Sequence, residues 1–64
     1  MHLNKKKVFI AMAEAGLNQK KLAEKAGVSR PTVSSLIKGL NGSPISIKKI
    51  ADALAIPMDE IIED

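Results

Sequence analysis

The sequence has no cysteine, one histidine and one aromatic residue, and it has no long apolar run. Without cysteine there is neither a disulfide nor a thiolate metal site. A membrane-spanning helix needs about 20 consecutive apolar residues, and the first residues lack the apolar segment of a signal peptide. We therefore expect a soluble cytoplasmic protein whose core is held by packing alone.

Catalytic signatures are also missing. The sequence shows no pairing of a nucleophile with a base, no cluster of metal ligands and no glycine-rich phosphate loop. Four acidic residues lie near the end of the chain, and we interpret them as a solvated tail rather than a metal site: Asp59, Glu60, Glu63 and Asp64. We therefore expect a protein without enzymatic activity, without a bound metal and without a cofactor.

What the sequence does contain is apolar aliphatic residues in helical spacing. The 64 residues are 45% hydrophobic, which suits one small domain, 1–64, with a modest core. Period-two alternation, which marks strands, is absent. The sequence therefore predicts an all-α fold.

Helix boundaries are marked by capping residues. Asn and Ser side chains satisfy the free N–H groups of a first turn, and glycine adopts the positive φ that ends many helices. The predicted N-caps are Asn4, Asn18, Ser29 and Ser46, and the predicted C-terminal glycines are Gly16, Gly27 and Gly39. The apolar pairs Leu3/Val8, Leu17/Leu22, Val28/Val33 and Ile45/Ile50 fit hydrophobic staples at the same four starts. These signals predict a compact fold of five helices near 5–15, 19–26, 30–38, 47–55 and 58–63.

The expected core comes from the apolar sides of these helices. The first helix offers Val8, Phe9, Met12 and Ala13, and the fourth offers Ile47, Ile50, Ala51 and Leu54. Gly42 and Pro44 indicate a loop at 40–45, and Pro57 separates the last helix from the fourth.

Residues 19–38 carry the most informative pattern. Two helices of about eight residues are joined by Gly27-Val28-Ser29, with Ala23 small enough for their crossing. Gly27 permits the positive φ of a sharp bend, and Val28 fills the corner. This is the pattern of a helix-turn-helix unit formed by the second and third helices.

The chain resembles the lambda-repressor-like, Cro/XRE-type helix-turn-helix family of phage and bacterial regulators. The resemblance covers nearly the whole chain and rests on Leu17-Asn18-Gln19, Leu22-Ala23, Ala26-Gly27-Val28-Ser29 and Ile50-Ala51-Asp52-Ala53-Leu54. It implies a transcriptional repressor that binds double-stranded DNA. A homodimer is then expected, because one recognition helix covers one half-site; we place its surface in the 40–45 loop and the C-terminal segment.

The charge distribution agrees with a polyanionic partner. Residues 1–40 hold eight basic and two acidic residues, a net of +6, whereas 41–64 hold two basic and five acidic residues, a net of −3. Such an asymmetry gives the protein one region that attracts phosphate. A solubilising surface with an acidic tail remains the alternative.

Base-reading residues are expected on the outward side of the third helix. Arg30 stands at its tip, where a guanidinium can bond guanine O6 and N7, and Ser34 follows one turn later. Pro31 fits a first helical turn, and its ring can touch a thymine methyl. The resemblance assigns base reading to the positions of Arg30, Pro31 and Ser34. Arg30 as a phosphate-gripping surface cation remains the alternative.

Phosphate contacts are expected at both ends of this helix pair. The resemblance implies that the helix start at Gln19 holds a backbone phosphate, where free N–H groups favour an anion, and that Gln19 braces the first outward residue of the third helix. Thr32, Lys38 and Asn41 are expected to hold phosphate at the other end of the recognition helix. Lys20 and Lys21 are either flanking DNA contacts or part of a solvated face.

Another class of function competes with this one. The chain has the size of a helical protein-interaction module, such as an antitoxin-like domain whose main partner is a protein. Ile61 and Ile62 discriminate between the two, because isoleucines left uncovered within the chain must meet a partner or a second copy. RNA binding is disfavoured, since the chain lacks the stacking aromatics that single-strand recognition uses.

Overall fold

The computed structural model describes residues 1–39 and 41–63. Leu40, the first residue of the predicted 40–45 loop, and Asp64, the last of the acidic tail, lie outside the described residues. The described chain forms α1 (Lys5–Ala15), α2 (Gln19–Ala26), α3 (Arg30–Ile37), α4 (Pro44–Leu54) and one turn of 3-10 helix, Met58–Glu60. Its only strand-like feature within these ranges is an isolated antiparallel bridge between Leu3 and Ile62, so the all-α class is confirmed. None of the described helices has the length and hydropathy to cross a membrane.

The first three helices begin at the predicted residues. Asn4 accepts from the Lys7 N–H at 3.0 Å, Asn18 from the Lys21 N–H at 2.8 Å, and Ser29 from the Thr32 N–H at 3.3 Å. Each cap satisfies one N–H group that a helix start leaves without an intrahelical partner.

The start of α4 differs from the prediction. The helix begins at Pro44 instead of residue 47, and Ser43 is its N-cap, accepting from the Ser46 N–H at 3.2 Å. Proline suits a first helical position, because its missing N–H would have no intrahelical partner there. Pro44 therefore opens the helix instead of marking a loop. The predicted cap Ser46 and the predicted staple Ile45/Ile50 are wrong, since Ile45 lies inside the helix with 71% of its surface exposed.

The predicted fifth helix, 58–63, is reduced to the single turn Met58–Glu60. The residues that would continue this helix instead form backbone hydrogen bonds with the start of the chain. Asn4 donates its N–H to the Ile61 carbonyl at 2.7 Å, and the Glu63 N–H donates to the His2 carbonyl at 2.9 Å. These bonds satisfy backbone groups in an extended geometry that a helix would not allow.

The core lies where α4 packs against α2, α1 and the Met58–Glu60 turn. Fourteen apolar residues are buried there: Leu3, Val8, Met12, Leu22, Ala23, Val33, Leu36, Ile37, Ile47, Ile50, Ala51, Ala53, Leu54 and Ile61. The predicted core residues Phe9 and Ala13 are exposed. Val8 and Met12 fill the inner side of α1 at a spacing of four, which turns their sequence neighbours outward. Lys5 Nζ lies 5.8 Å from the Phe9 ring centroid, so this ring packs under a surface cation instead.

The bend between α2 and α3 matches its prediction. Gly27 has φ +74°, and its N–H donates to the Ala23 carbonyl at 2.9 Å. A Cβ at this position would meet nothing within 4 Å. The requirement for glycine is therefore one of backbone conformation alone, because L-residues with side chains disfavour positive φ. The bend fixes how α3 is presented on the surface.

Candidate nucleic-acid interface

The rotation of α3 is set by its buried residues. Val33, Leu36 and Ile37 are all at most 4% exposed and pack into the core. The opposite side of the helix therefore faces out. Arg30 and Pro31 are exposed in its first turn, Ser34 and Ser35 are half-buried in the next, and Lys38 is exposed just after its end.

Arg30 and Pro31 occupy the first two positions of α3. Among the described residues Arg30 has neither an ion pair nor a hydrogen bond from its side chain. A guanidinium whose five donors are not used within the protein is available to a ligand. Proline costs the helix nothing here, and its ring adds an apolar surface beside the charge.

A side-chain hydrogen bond ties the start of α2 to the middle of α3. Ser34 Oγ donates to Gln19 Oε1 at 3.0 Å, in a partly buried position. The expected brace from Gln19 is therefore present, but on Ser34, one turn beyond the first outward residue. Because the hydroxyl proton is used, Ser34 can only accept from a ligand, while the Gln19 amide nitrogen keeps its two donors.

A cleft of about 330 Å³ separates the outer side of α3 from the start of α4. Its walls are mainly small polar side chains from three successive segments: Pro31, Thr32, Ser35, Leu36, Asn41, Gly42, Ser43 and Ser46. The two sides come close at Gly42, where a Cβ would lie 2.1 Å from Leu36 Cδ2. A side chain at residue 42 would therefore displace Leu36 or close the cleft.

The predicted phosphate residues lie around this cleft and at the ends of the helices. Thr32 lies in the first turn of α3, away from the end that was expected, and its Oγ1 is 2.8 Å from Ser29 Oγ. Asn41 is exposed, and its side-chain oxygen accepts from the amino group of Met1. Lys38 caps the end of α3, and Gln19 opens α2. Thr32 and Asn41 thus line the cleft, whereas Gln19 and Lys38 lie outside its lining, at the start of α2 and the end of α3.

Ser35 was not singled out from the sequence. It lies one turn after Pro31 on the exposed side of α3 and lines the cleft with it. The i, i+4 spacing of these two residues was a usable signal, because such residues share one side of a helix. Ser43 and Ser46 were not recognised as residues of this cleft, because the predicted start of α4 was three residues too late.

Exposed cations lie around this surface, and the helix starts beside it carry no carboxylate. Lys20, Lys21, Arg30 and Lys38 are exposed, and the first turns of α2, α3 and α4 contain no acidic residue. On α4, away from these cations, Lys48 forms an ion pair with Asp52 at 3.1 Å. Helix starts carry partial positive charge, so they add to the attraction for an anion. No group of three potential metal ligands occurs among residues 1–39 and 41–63.

A comparison with protein families agrees with this arrangement. The model of the family described as Helix-turn-helix matches residues 10–61, which is most of the chain. The match includes α2, the bend at Gly27, α3 and α4. A comparison with curated proteins gave no match.

Proposed function

Because the chain belongs to the lambda-repressor-like, Cro/C1-type helix-turn-helix family, we propose that it is a sequence-specific regulator of transcription that reads duplex DNA with α3. The observation that carries this proposal is the exposed first turn of α3. There Arg30 and Pro31 project from a helix that the core and the Gln19–Ser34 bond hold in one orientation. A recognition helix reads base edges with its N-terminal residues.

Base reading is proposed for three residues. Arg30 donates to O6 and N7 of a guanine. Pro31 contacts a thymine methyl with its ring. Ser34 keeps only acceptor capacity, so it pairs with the amino group of adenine N6 or cytosine N4.

Phosphate binding is proposed for the residues around them. The Gln19 amide and the free N–H groups of the α2 start hold one backbone phosphate. Thr32 and Asn41 contact a phosphate beside the α3–α4 cleft, and Lys38 contacts the backbone at the end of α3. These contacts fix the position of α3 in the groove without reading sequence.

A second copy would supply the second half-site. Ile45, 71% exposed on the first turn of α4, lies at the end of the predicted 40–45 surface and offers it an apolar contact. A dimer would place two copies of α3 about 34 Å apart, one helical turn of DNA. A protein bound over a promoter excludes polymerase, so we propose repression in the bacterial cytoplasm as the outcome, with no catalytic activity.

The alternative function, a protein-interaction module, depended mainly on Ile61 and Ile62 being uncovered. Ile61 is fully buried and Ile62 half-buried, with Leu3 bridged to Ile62. The residues expected to demand a partner are therefore covered within the chain.

The test is selection from a random duplex pool. The protein is incubated with random duplexes at moderate salt, the bound DNA is amplified and sequenced, and Arg30→Ala is run in parallel. We expect a two-fold symmetric motif with half-sites about 10 base pairs apart, with one base position per half-site losing its preference in Arg30→Ala. An unenriched pool after repeated rounds would contradict sequence-specific binding.

A further inference from the structure

A groove between α1 and the segment after α4 is not used by the proposed function. It encloses about 320 Å³ and is lined by Lys7, Ile10, Ile56 and Glu60; we call it the Ile10 groove. A second depression of about 300 Å³ continues from it and shares Ile56, and its other walls are Ala11, Glu14, Ala15, Leu54 and Ala55. Together they form one concave surface of apolar side chains with three charged residues, Lys7, Glu14 and Glu60, among them.

Ile10 is a residue of a type that usually lies in a core, yet it lines the groove with 50% of its surface exposed. Scattered apolar residues are ordinary on a protein surface, but contiguous ones that line a concave surface mark contact sites. In a chain of 64 residues with a small core, leaving Ile10 outside gives up burial worth about 1 kcal/mol or more.

The Ile10 groove and the α3–α4 cleft lie at opposite ends of α4. The α3–α4 cleft lies at the first turn of α4, whereas Ile56 follows its last turn. Eleven helical residues separate these ends by about 16 Å. The two surfaces share no lining residue, so filling the groove does not use the residues of the α3–α4 cleft.

The charges beside the groove favour one kind of occupant. One cation, Lys7, and one anion, Glu60, line it together with the two isoleucines. A partner with a single sign of charge would be attracted by one of them and repelled by the other. In a two-fold contact each residue meets the complementary part of the same surface. We propose that the Ile10 groove binds a second copy of this chain, with Lys7 of each copy facing Glu60 of the other.

This contact is separate from the proposed surface around Ile45 and is tested without DNA. The Ile45→Lys variant serves as the parent, so that association through the first turn of α4 is removed. In this parent, Lys7→Glu places two anions opposite each other at both ends of the contact, and Glu60→Lys places two cations there. A mixture of the two variants restores both attractive pairs in a mixed dimer.

The measurement is sedimentation equilibrium up to millimolar protein. We expect the parent to dimerise, each single variant to dimerise at least about tenfold more weakly, and the equimolar mixture to recover the parent's affinity within about threefold. Ile10→Ser should weaken association without changing charge. Lys6→Glu and Glu63→Lys make the same charge changes at exposed positions outside the groove lining and should leave association unchanged.

Three results would overturn the proposal. A parent that stays monomeric at millimolar concentration means that no second copy occupies the groove. Single variants that associate like the parent place the contact elsewhere. A mixture that fails to recover excludes the two-fold pairing of Lys7 with Glu60. Thermal unfolding of each variant shows whether it is folded. If a charge variant does not fold, the association of Ile10→Ser tests the proposal instead.

Discussion

At the residue scale, Arg30 and Lys38 lie on the same side of α3 but at opposite ends of it. Arg30 is in the first turn, while Lys38 follows the last. In the proposed orientation the start of the helix is in the major groove and its end is leaving it. We therefore propose different roles for these two cations, base reading for Arg30 and phosphate binding for Lys38.

Alanine substitutions separate these roles. Arg30→Ala should cost about 1–3 kcal/mol on the selected site and relax one base position per half-site. Lys38→Ala should weaken binding to all duplexes about equally and make the salt dependence shallower by about one unit per half-site. The measurement is a binding series on the selected site, its single-base variants and an unrelated duplex. Equal losses for Arg30→Ala on every duplex would make it a phosphate contact.

Ala55 is the one non-glycine residue with positive φ among the described residues, at +58°. It ends α4 in a left-handed conformation that costs an L-residue about 1–2 kcal/mol. Glycine removes that strain but increases the entropy of the unfolded chain. We expect Ala55→Gly to raise the free energy of unfolding by about 0.5–1 kcal/mol, measured by urea denaturation. Ala13→Gly, on the exposed side of α1, should lower it by about 1 kcal/mol; losses of similar size in both variants would contradict the left-handed end of α4.

At the element scale, the bend between α2 and α3 depends on one backbone conformation. Since a Cβ at Gly27 has open space around it, its substitution tests φ without a steric clash. Gly27→Val should cost about 1–3 kcal/mol of stability, whereas Gly27→Asn should cost less, because asparagine tolerates positive φ. Both are measured by thermal unfolding. Equal melting temperatures for Gly27→Val and the unmodified chain would mean that the bend tolerates another conformation.

Sequence reasoning placed α1, α2 and the start of α3 at the residues that the structure shows. Their signals are local, since each cap bonds an N–H three residues later and each helix is followed by a glycine or a polar turn. The start of α4 has the same kind of signal in Ser43-Pro44. It was missed because Pro44 also suits a loop, and only the surroundings decide between these roles.

The remaining errors concern contacts between residues distant in sequence. The pairing of residues 2–4 with 61–63 shortens the last helix, and no local propensity encodes it. Phe9 was expected in the core because it is apolar and aromatic, but the packing of α1 places Val8 and Met12 inside. In the candidate interface, helical periodicity was enough to predict that Arg30 and Pro31 face outward. The hydrogen bond between Ser34 and Gln19 could not be predicted in this way, because it depends on how α2 and α3 cross.

At the scale of the whole molecule, the charge is divided between two parts of the chain. Residues 1–40 carry a net charge of +6 and include α2 and α3, while residues 41–64 carry −3. The described chain extends 26 × 20 × 17 Å, so these charges act over distances of a few Debye lengths at most. Lys20, Lys21, Arg30 and Lys38 are exposed on or next to α2 and α3, so we expect a duplex to be attracted to this part of the surface.

The most direct test of DNA binding is therefore a salt titration of duplex affinity. Binding of the selected duplex and of an unrelated duplex is measured between about 50 and 200 mM monovalent salt. A dimer that meets about eight phosphates should give a slope of log K against log salt near −7, with the selected duplex tighter at every concentration. A slope near zero, or equal affinity for both duplexes, would contradict the account.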